Sequence, residues 1–237
     1  MFLDWVARAL LSPLLIAQAL KVRRTAQSLP EAAGPRQGVV GHGPTLHLRL
    51  IGDSSGAGVG VALQSDALIG QLVAELAPHF TVYWHLDAQT GATTASTLTR
   101  LETAQAQKTD IIITALGVND VTRLIPPGTW QRQQTTLLAR LRALYTPRKI
   151  YMSAIPPVGK FPLLPHPLRW TLGRQADNLE TTQRKWIATQ SDVALIPFDQ
   201  SLDPEMMASD GFHPSAAIYT LWAKNIASRI LSDWPKD

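Results

Sequence analysis

A serine in a strand-to-turn corner, a late Asp-x-x-His, and a glycine and an asparagine in two intervening loops are the residues of this chain that can do chemistry together. Ser54 stands in Leu48-Arg49-Leu50-Ile51-Gly52-Asp53-Ser54-Ser55-Gly56-Ala57-Gly58-Val59-Gly60, where an apolar run breaks into small residues. A strand that ends in such a corner before Val61-Ala62-Leu63 gathers backbone N–H groups at a helix start, a place that holds an anion, bound or developing. A serine there is a nucleophile if a base reaches it. Of the six histidines, His42 falls in a Gly/Pro-rich stretch, His47 begins the first expected strand, and His79 and His85 flank the second. Only His166 and His213 lie in late post-strand loops. His213, in Ser209-Asp210-Gly211-Phe212-His213-Pro214-Ser215, has Asp210 three residues ahead. That spacing lets the carboxylate reach Nδ1, fix the tautomer and stabilise the imidazolium as Nε2 takes the serine proton. The same Asp-x-x-His also suits a plain capped turn, with Pro214 in the first turn of a helix.

Acyl transfer further needs donors for an oxyanion, each worth about 2.7–4 kcal/mol of barrier. Gly91, in Gln89-Thr90-Gly91-Ala92-Thr93-Thr94, offers an unobstructed N–H just before an expected helix, and Asn119, in Gly117-Val118-Asn119-Asp120, offers a side-chain amide. Asn119 taken singly also reads as a turn residue.

These residues must be brought to one edge by the elements between them. Strand and helix patterns alternate: strand 46–51, helix about 59–77, strand about 80–85, helix about 93–107, strand Asp110–Leu116, helix about 129–145, strand Lys149–Ala154, helix about 167–189, strand 193–198 and a last helix about 214–232. Ile111-Ile112-Ile113 has the continuous β-branched character of a strand covered on both faces. Five βα units predict an α/β sandwich with a five-stranded parallel sheet, whose ligands bind beyond the carboxyl ends of the strands. Those ends hold Asp53-Ser54, Asp87 to Thr94, Gly117 to Asp120, Pro156 to Pro165, and Asp199 to His213.

Ahead of this domain, residues 25–45 are rich in Gly and Pro and read as a linker, and residues 1–24 as an apolar helix with a kink expected at Pro13. Asp4 and Arg8 argue against a signal peptide, and the run is short for a bilayer span of roughly 20 apolar residues. It is read either as packed on the protein or on a partner subunit, giving self-association, or as lying in a membrane interface as a peripheral contact. The expected compartment is the cytoplasm, with membrane association or export left open.

The composition narrows the rest. The chain has 237 residues, 45% hydrophobic and 17% charged, with a net charge of +4, much of it early in Lys21, Arg23, Arg24 and Arg36. No basic stripe marks a nucleic-acid partner. The absence of cysteine excludes disulfides, thiolate metal sites and a Cys nucleophile and leaves the compartment open. Gly56-x-Gly58-x-Gly60 lacks the spacing of a dinucleotide loop and no Lys completes a P-loop. Asp53, Asp120 and Asp210 suit supporting and orienting roles better than a hard-cation cluster. A non-enzymatic α/β binding module keeps the fold without needing Ser54, Asn119 and His213 together.

Gly52-Asp53-Ser54, Gly91, Gly117-Val118-Asn119-Asp120 and Asp210-Gly211-Phe212-His213-Pro214 resemble the ordered blocks of the SGNH, or GDSL-type, serine hydrolases across residues 46–237. The resemblance implies a flavodoxin-like α/β/α fold, a Ser54, His213, Asp210 triad, and an oxyanion hole from the Ser54 and Gly91 N–H groups and the Asn119 amide. It implies loop-supporting roles for Asp53 and Asp120. Ser55 stands where the family name has Leu. The reaction so implied is ester hydrolysis through an acyl-enzyme, with no metal or organic cofactor. The apolar, proline-rich Pro156–Trp170 insert suggests a pocket wall of Phe161, Leu163 and Leu164, with Ile125 at the rim, and hence short- to medium-chain acyl or aryl esters of small molecules. Carbohydrate O-acetyl esters, and thioesters or lysophospholipids, are the alternatives.

Overall fold

The structure, a computed structural model, describes residues 2–198 and 204–234. Residues 199–203 of the loop expected over Asp199 to His213 lie outside the described residues, as do Met1 and residues 235–237. In chain order the elements are α1 (Phe2–Thr25), β1 (Gln37–Val40), β2 (Thr45–Gly52), α2 (Leu68–Leu76), β3 (Thr81–Ala88), α3 (Thr94–Leu101), β4 (Ile111–Ala115), α4 (Val118–Thr122), α5 (Pro127–Tyr145), β5 (Lys149–Ser153), α6 (Leu168–Ile187), β6 (Val193–Ile196) and α7 (Ala216–Asp233).

The sheet order is β1-β3-β2-β4-β5-β6, with β2 to β6 mutually parallel. Alternate side chains of β4 serve opposite faces, as a pleated strand requires. Ile111 and Ile113 pack with Leu72 of α2 and Ile226 of α7, whereas Ile112 packs with Leu137 of α5 and Ile187 of α6. Each such side chain, fully removed from water, contributes about 1.5–3 kcal/mol. A third apolar cluster, around Phe161, Leu164, Leu168 and Leu172, joins the segment after β5 to α6, and Leu15 and Val22 of α1 pack against it. Chain progression reverses between β2 and β4, the point where a doubly wound sheet opens its crevice.

Two expectations are corrected. The sheet has six strands, because Gln37–Val40, inside the stretch read as a linker, pairs antiparallel with Val82–His85 of β3. An edge strand needs only one partner and tolerates glycine, so the Gly/Pro punctuation around it masks it in the sequence. The helix expected from about residue 59 begins at Leu68. Gly58 and Gly60 hold φ of +82° and +110°, and the turn they form is stapled from outside: Gln64 Nε2 donates to the carbonyls of Ala32 (3.2 Å) and Ala57 (3.0 Å). The N–H of Ala33 donates to Ala62 and that of Gln64 to Ala33. Residues 32–33 are thus built into the Ser54 corner. Helix α1 runs through Pro13 as one element, and among the described residues no helix is long and apolar enough to cross a membrane.

Candidate active site

Ser54 sits at the first turn beyond β2, where Val59 N–H closes on the Ser54 carbonyl and Ala57 N–H on that of Asp53. Gly60 lets this turn lie directly on the loop that carries His213. A Cβ there would stand 2.2 Å from the Pro214 carbonyl oxygen, so no other residue permits the approach. The loop itself is closed by hydrogen bonds from Ala208 N–H to the His213 carbonyl and from Gly211 N–H to that of Ala208.

The three residues singled out by spacing converge. His213 Nε2 lies 3.0 Å from Ser54 Oγ, and His213 Nδ1 lies 2.5 Å from Asp210 Oδ2. An ionised carboxylate only accepts, so Nδ1 carries the proton and Nε2 is left as an acceptor for the serine hydroxyl. Asp210 is fixed in turn: its Oδ1 accepts the N–H groups of Phe212 (2.9 Å) and His213 (3.0 Å). Burial pushes the Asp210 carboxyl up, but the bonds from His213 and from the two backbone N–H groups outweigh it and hold it below its ordinary range. The imidazole is also held by an edge-on stack, with Phe212 5.3 Å from His213 and Phe161 5.1 Å from Phe212. His166, the other late-loop histidine, is exposed and away from this cluster; its carbonyl accepts from Gln18.

The expected oxyanion donors stand in the neighbouring loops. Among the described residues, the N–H groups of Ser54 and Gly91 make no hydrogen bond. Gly91 has φ +79°, and a Cβ there would meet nothing within 4 Å, so its backbone shape, and not crowding, calls for glycine. Asn119, on α4, is differently placed: its Nδ2 donates to the Ala92 carbonyl (3.1 Å) and, through a long contact, to Asp53 Oδ2 (3.4 Å). It can serve an oxyanion by releasing the weaker of these.

Asp53 and Asp120 brace these loops. Asp53 Oδ1 accepts from the Ser55 N–H (3.0 Å) and hydroxyl (2.8 Å). Its burial pushes the carboxyl up to about 6, against the opposing pull of those Ser55 bonds. Asp120 is fully buried and accepts from Thr94 N–H and, at 2.8 Å, its hydroxyl, tying α4 to the start of α3. Burial raises its carboxyl also, with the Thr94 bonds opposing. Among the described residues no three His, Asp or Glu side chains are grouped to hold a metal ion.

A narrow cavity of about 50 Å³ opens beside the corner, with Asp53, Ser55 and Pro214 in its wall next to apolar Leu116, Phe161, Phe198, Met207, Ile218 and Trp222. Of the four residues expected to form a pocket, Phe161 is in the wall of this cavity, which has Asp53 and Ser55 but neither Ser54 nor His213 in its lining. Leu164 is turned into the third apolar cluster and Ile125 packs on that cluster's edge, while the Leu163 N–H is bonded to the Gly211 carbonyl. The walls not foreseen come from β6's exit and α7, remote in sequence from the insert. Glu31 is a further residue that sequence reasoning does not find. Its Oε1 accepts from Thr90 N–H and Oγ1, both at 2.8 Å, beside Gly91; a carboxylate in a Gly/Pro-rich stretch gives no local signal of that partner.

Residues 50–221 match the model of the GDSL-like lipase/acylhydrolase family. No curated protein sequence matches the chain. Solved structures sharing the fold include TesA, 24% identical, covering 78% of this chain and 97% of that one with a TM-score of 0.62. Another is Axe2, an acetylxylan esterase from Geobacillus stearothermophilus, at 18% identity, 84% and 99% coverage and a TM-score of 0.56. A third is the psychrotrophic esterase EstA from Pseudoalteromonas sp., in a structure inhibited by monoethylphosphonate, at 18% identity, 79% and 97% coverage and a TM-score of 0.59.

Proposed function

The chain belongs to the GDSL-like lipase/acylhydrolase family and is an ester-hydrolysing enzyme, and we propose that it cleaves short-chain carboxylic esters through an acyl-enzyme formed on Ser54. The observation that carries this reading is His213 standing between Ser54 Oγ at 3.0 Å and Asp210 Oδ2 at 2.5 Å, the arrangement that turns a hydroxyl into a nucleophile.

In this mechanism His213 Nε2 takes the Ser54 proton as Oγ attacks the carbonyl carbon. The carbonyl oxygen becomes an oxyanion that receives hydrogen bonds from the Ser54 and Gly91 N–H groups and from Asn119 Nδ2. The intermediate collapses, the C–O bond to the alcohol breaks, and His213 returns the proton to the leaving oxygen. Water, deprotonated by His213, then attacks the acyl carbon, the bond from that carbon to Ser54 Oγ breaks, and His213 returns the proton to Oγ as the acid leaves. Asp210 keeps its negative charge throughout and stabilises the imidazolium.

The cavity's size supports a short acyl group: about 50 Å³ is the room of a few water molecules, and its wall is mainly apolar, with Leu116, Phe198 and Trp222 among the residues that outnumber the polar Asp53, Ser55 and Ser153. Comparing p-nitrophenyl acetate, butyrate and octanoate tests this. The reading predicts turnover falling from the shorter esters to octanoate, and folded protein that hydrolyses none of them overturns it.

A further inference from the structure

Helix α1 is apolar well beyond the arc that it buries. The inner side is docked: Leu15 and Val22 pack against the third apolar cluster. Gln18 donates to the His166 carbonyl at 2.6 Å and accepts from the Leu168 N–H at 3.1 Å. At about 100° per residue, the half-buried Leu11, Leu15, Gln18 and Val22 fall within one narrow arc. Outside it the helix carries Ile16 (60% exposed) and Leu20 (47%) on the far side, and Leu10 (77%) and Leu14 (46%) on the flank that leads back to the domain. One exposed leucine needs no explanation, but four large aliphatic side chains along three turns of one helix do.

What covers that surface is indicated by charge. Helix α1 has four cations in its sequence, Arg8, Lys21, Arg23 and Arg24, against one carboxylate, Asp4, at the opposite end from the last three. Lys21, Arg23 and Arg24 are exposed at the end of the aliphatic run. A second copy of this helix would bring a single acid, Asp4, to four cations, whereas anionic headgroups would pair with all of them, with the aliphatic side chains entering the acyl boundary beneath. A helix apolar nearly all round, yet neither buried in the domain nor able to span, suits the plane of an interface.

We propose that the outer surface of α1 seats this protein on an anionic lipid surface. The docked helix is tied to the active-site loop, since Gln27 just beyond it accepts from the Ser209 hydroxyl at 3.0 Å, one residue before Asp210.

The test is flotation of the full chain with phosphatidylcholine vesicles made with and without phosphatidylglycerol. The wild type is expected to float with the anionic vesicles, more weakly with the neutral ones, and less at high salt. Leu10→Glu/Ile16→Glu/Leu20→Glu and, separately, Lys21→Glu/Arg23→Glu/Arg24→Glu are expected to weaken partitioning about tenfold or more. Both sets are exposed, and unchanged circular dichroism and melting show that the fold is kept. Wild-type protein left behind by both vesicle types, or variants that bind as well as wild type, overturns the proposal. So does a concentration-dependent dimer that the aliphatic substitutions abolish without any vesicle binding. Flotation reads binding and not turnover, so its outcome stands apart from that of the ester panel.

Discussion

Glu31 accepts two hydrogen bonds from Thr90, from its N–H and from its hydroxyl, each at 2.8 Å across 59 residues of sequence. The bond fastens the loop of Gly91 to the strap that also staples the Ser54 corner through Ala32 and Ala33. Arg36 completes the clamp by pairing with Glu31 at 2.9 Å and donating to the Ala88 carbonyl. Two of the proposed oxyanion donors are therefore held at fixed separation by residues that touch neither substrate nor nucleophile.

Glu31 is accordingly a positioning residue. Glu31→Ala should lower kcat about tenfold, less than the roughly 10²–10³-fold that follows deletion of an oxyanion donor, with KM nearly unchanged. Glu31→Gln keeps an acceptor for Thr90 and should recover most of the loss. Equal kcat for all three proteins would leave the strap a purely structural feature.

Asn119→Ala removes a donor together with its bonds to Ala92 and Asp53. Steady-state kinetics should show kcat lower by about 10²–10³-fold, about 2.7–4 kcal/mol, and KM much less affected. A change confined to KM would place Asn119 in ground-state binding instead.

Asp210→Asn should cost about 10⁴ in kcat, because the tautomer of His213 is no longer fixed and the imidazolium loses its counter-charge. The variant should still melt as a folded protein, since the neighbouring loop bonds from Ala208 and Gly211 remain. Retention of more than about a tenth of wild-type kcat would remove Asp210 from the triad.

Asp53 makes a prediction about pH and stability. Burial lifts its carboxyl from 3.8 to about 6 in the folded protein, so the native state binds the proton more tightly than the unfolded chain. Its stabilising contribution is complete below its ordinary value and is lost as pH rises through about 6. At about 1.4 kcal/mol per pKa unit, the loss approaches about 3 kcal/mol. Glu31 and Asp210, held below the ordinary range, act with the opposite sign at lower pH. Urea unfolding of wild type and Asp53→Asn isolates the group: the stability of wild type relative to the variant should fall from about pH 4 to about pH 7. A flat or rising difference would contradict it.

The parts of the site carried by strong local signals are legible in the sequence. The β-branched run of Ile111–Ala115, the abrupt corner at Ser54 and the Asp210-x-x-His213 spacing each express one physical requirement within a few residues, and the alternating pattern puts them at one sheet edge. What is not legible depends on partners far away in the chain. Gln37–Val40 becomes a strand only because β3 offers a free edge. The first nine residues of the helix expected at residue 59 are overridden by the bonds from residues 32–33 and by Gly58 and Gly60. The cavity beside the corner is lined by Phe198, Met207, Ile218 and Trp222 along with the expected Phe161, whereas Leu164 and Ile125 join the third apolar cluster, because an apolar segment beside a site satisfies itself by packing on its own cluster as readily as by facing a cavity. Glu31 has no signal at all, its partner being set entirely by how residues 31–36 cross the sheet end.

That Ser54 is the nucleophile is a claim a fluorophosphonate probe reads out at the residue itself, because the probe bonds covalently to a serine activated by its base. Wild-type protein should label stoichiometrically with the adduct on the peptide containing Ser54, His213→Ala should label far more slowly, and Ser54→Ala should not label. Equal labelling of wild type and Ser54→Ala, or an adduct on another residue, would contradict that claim.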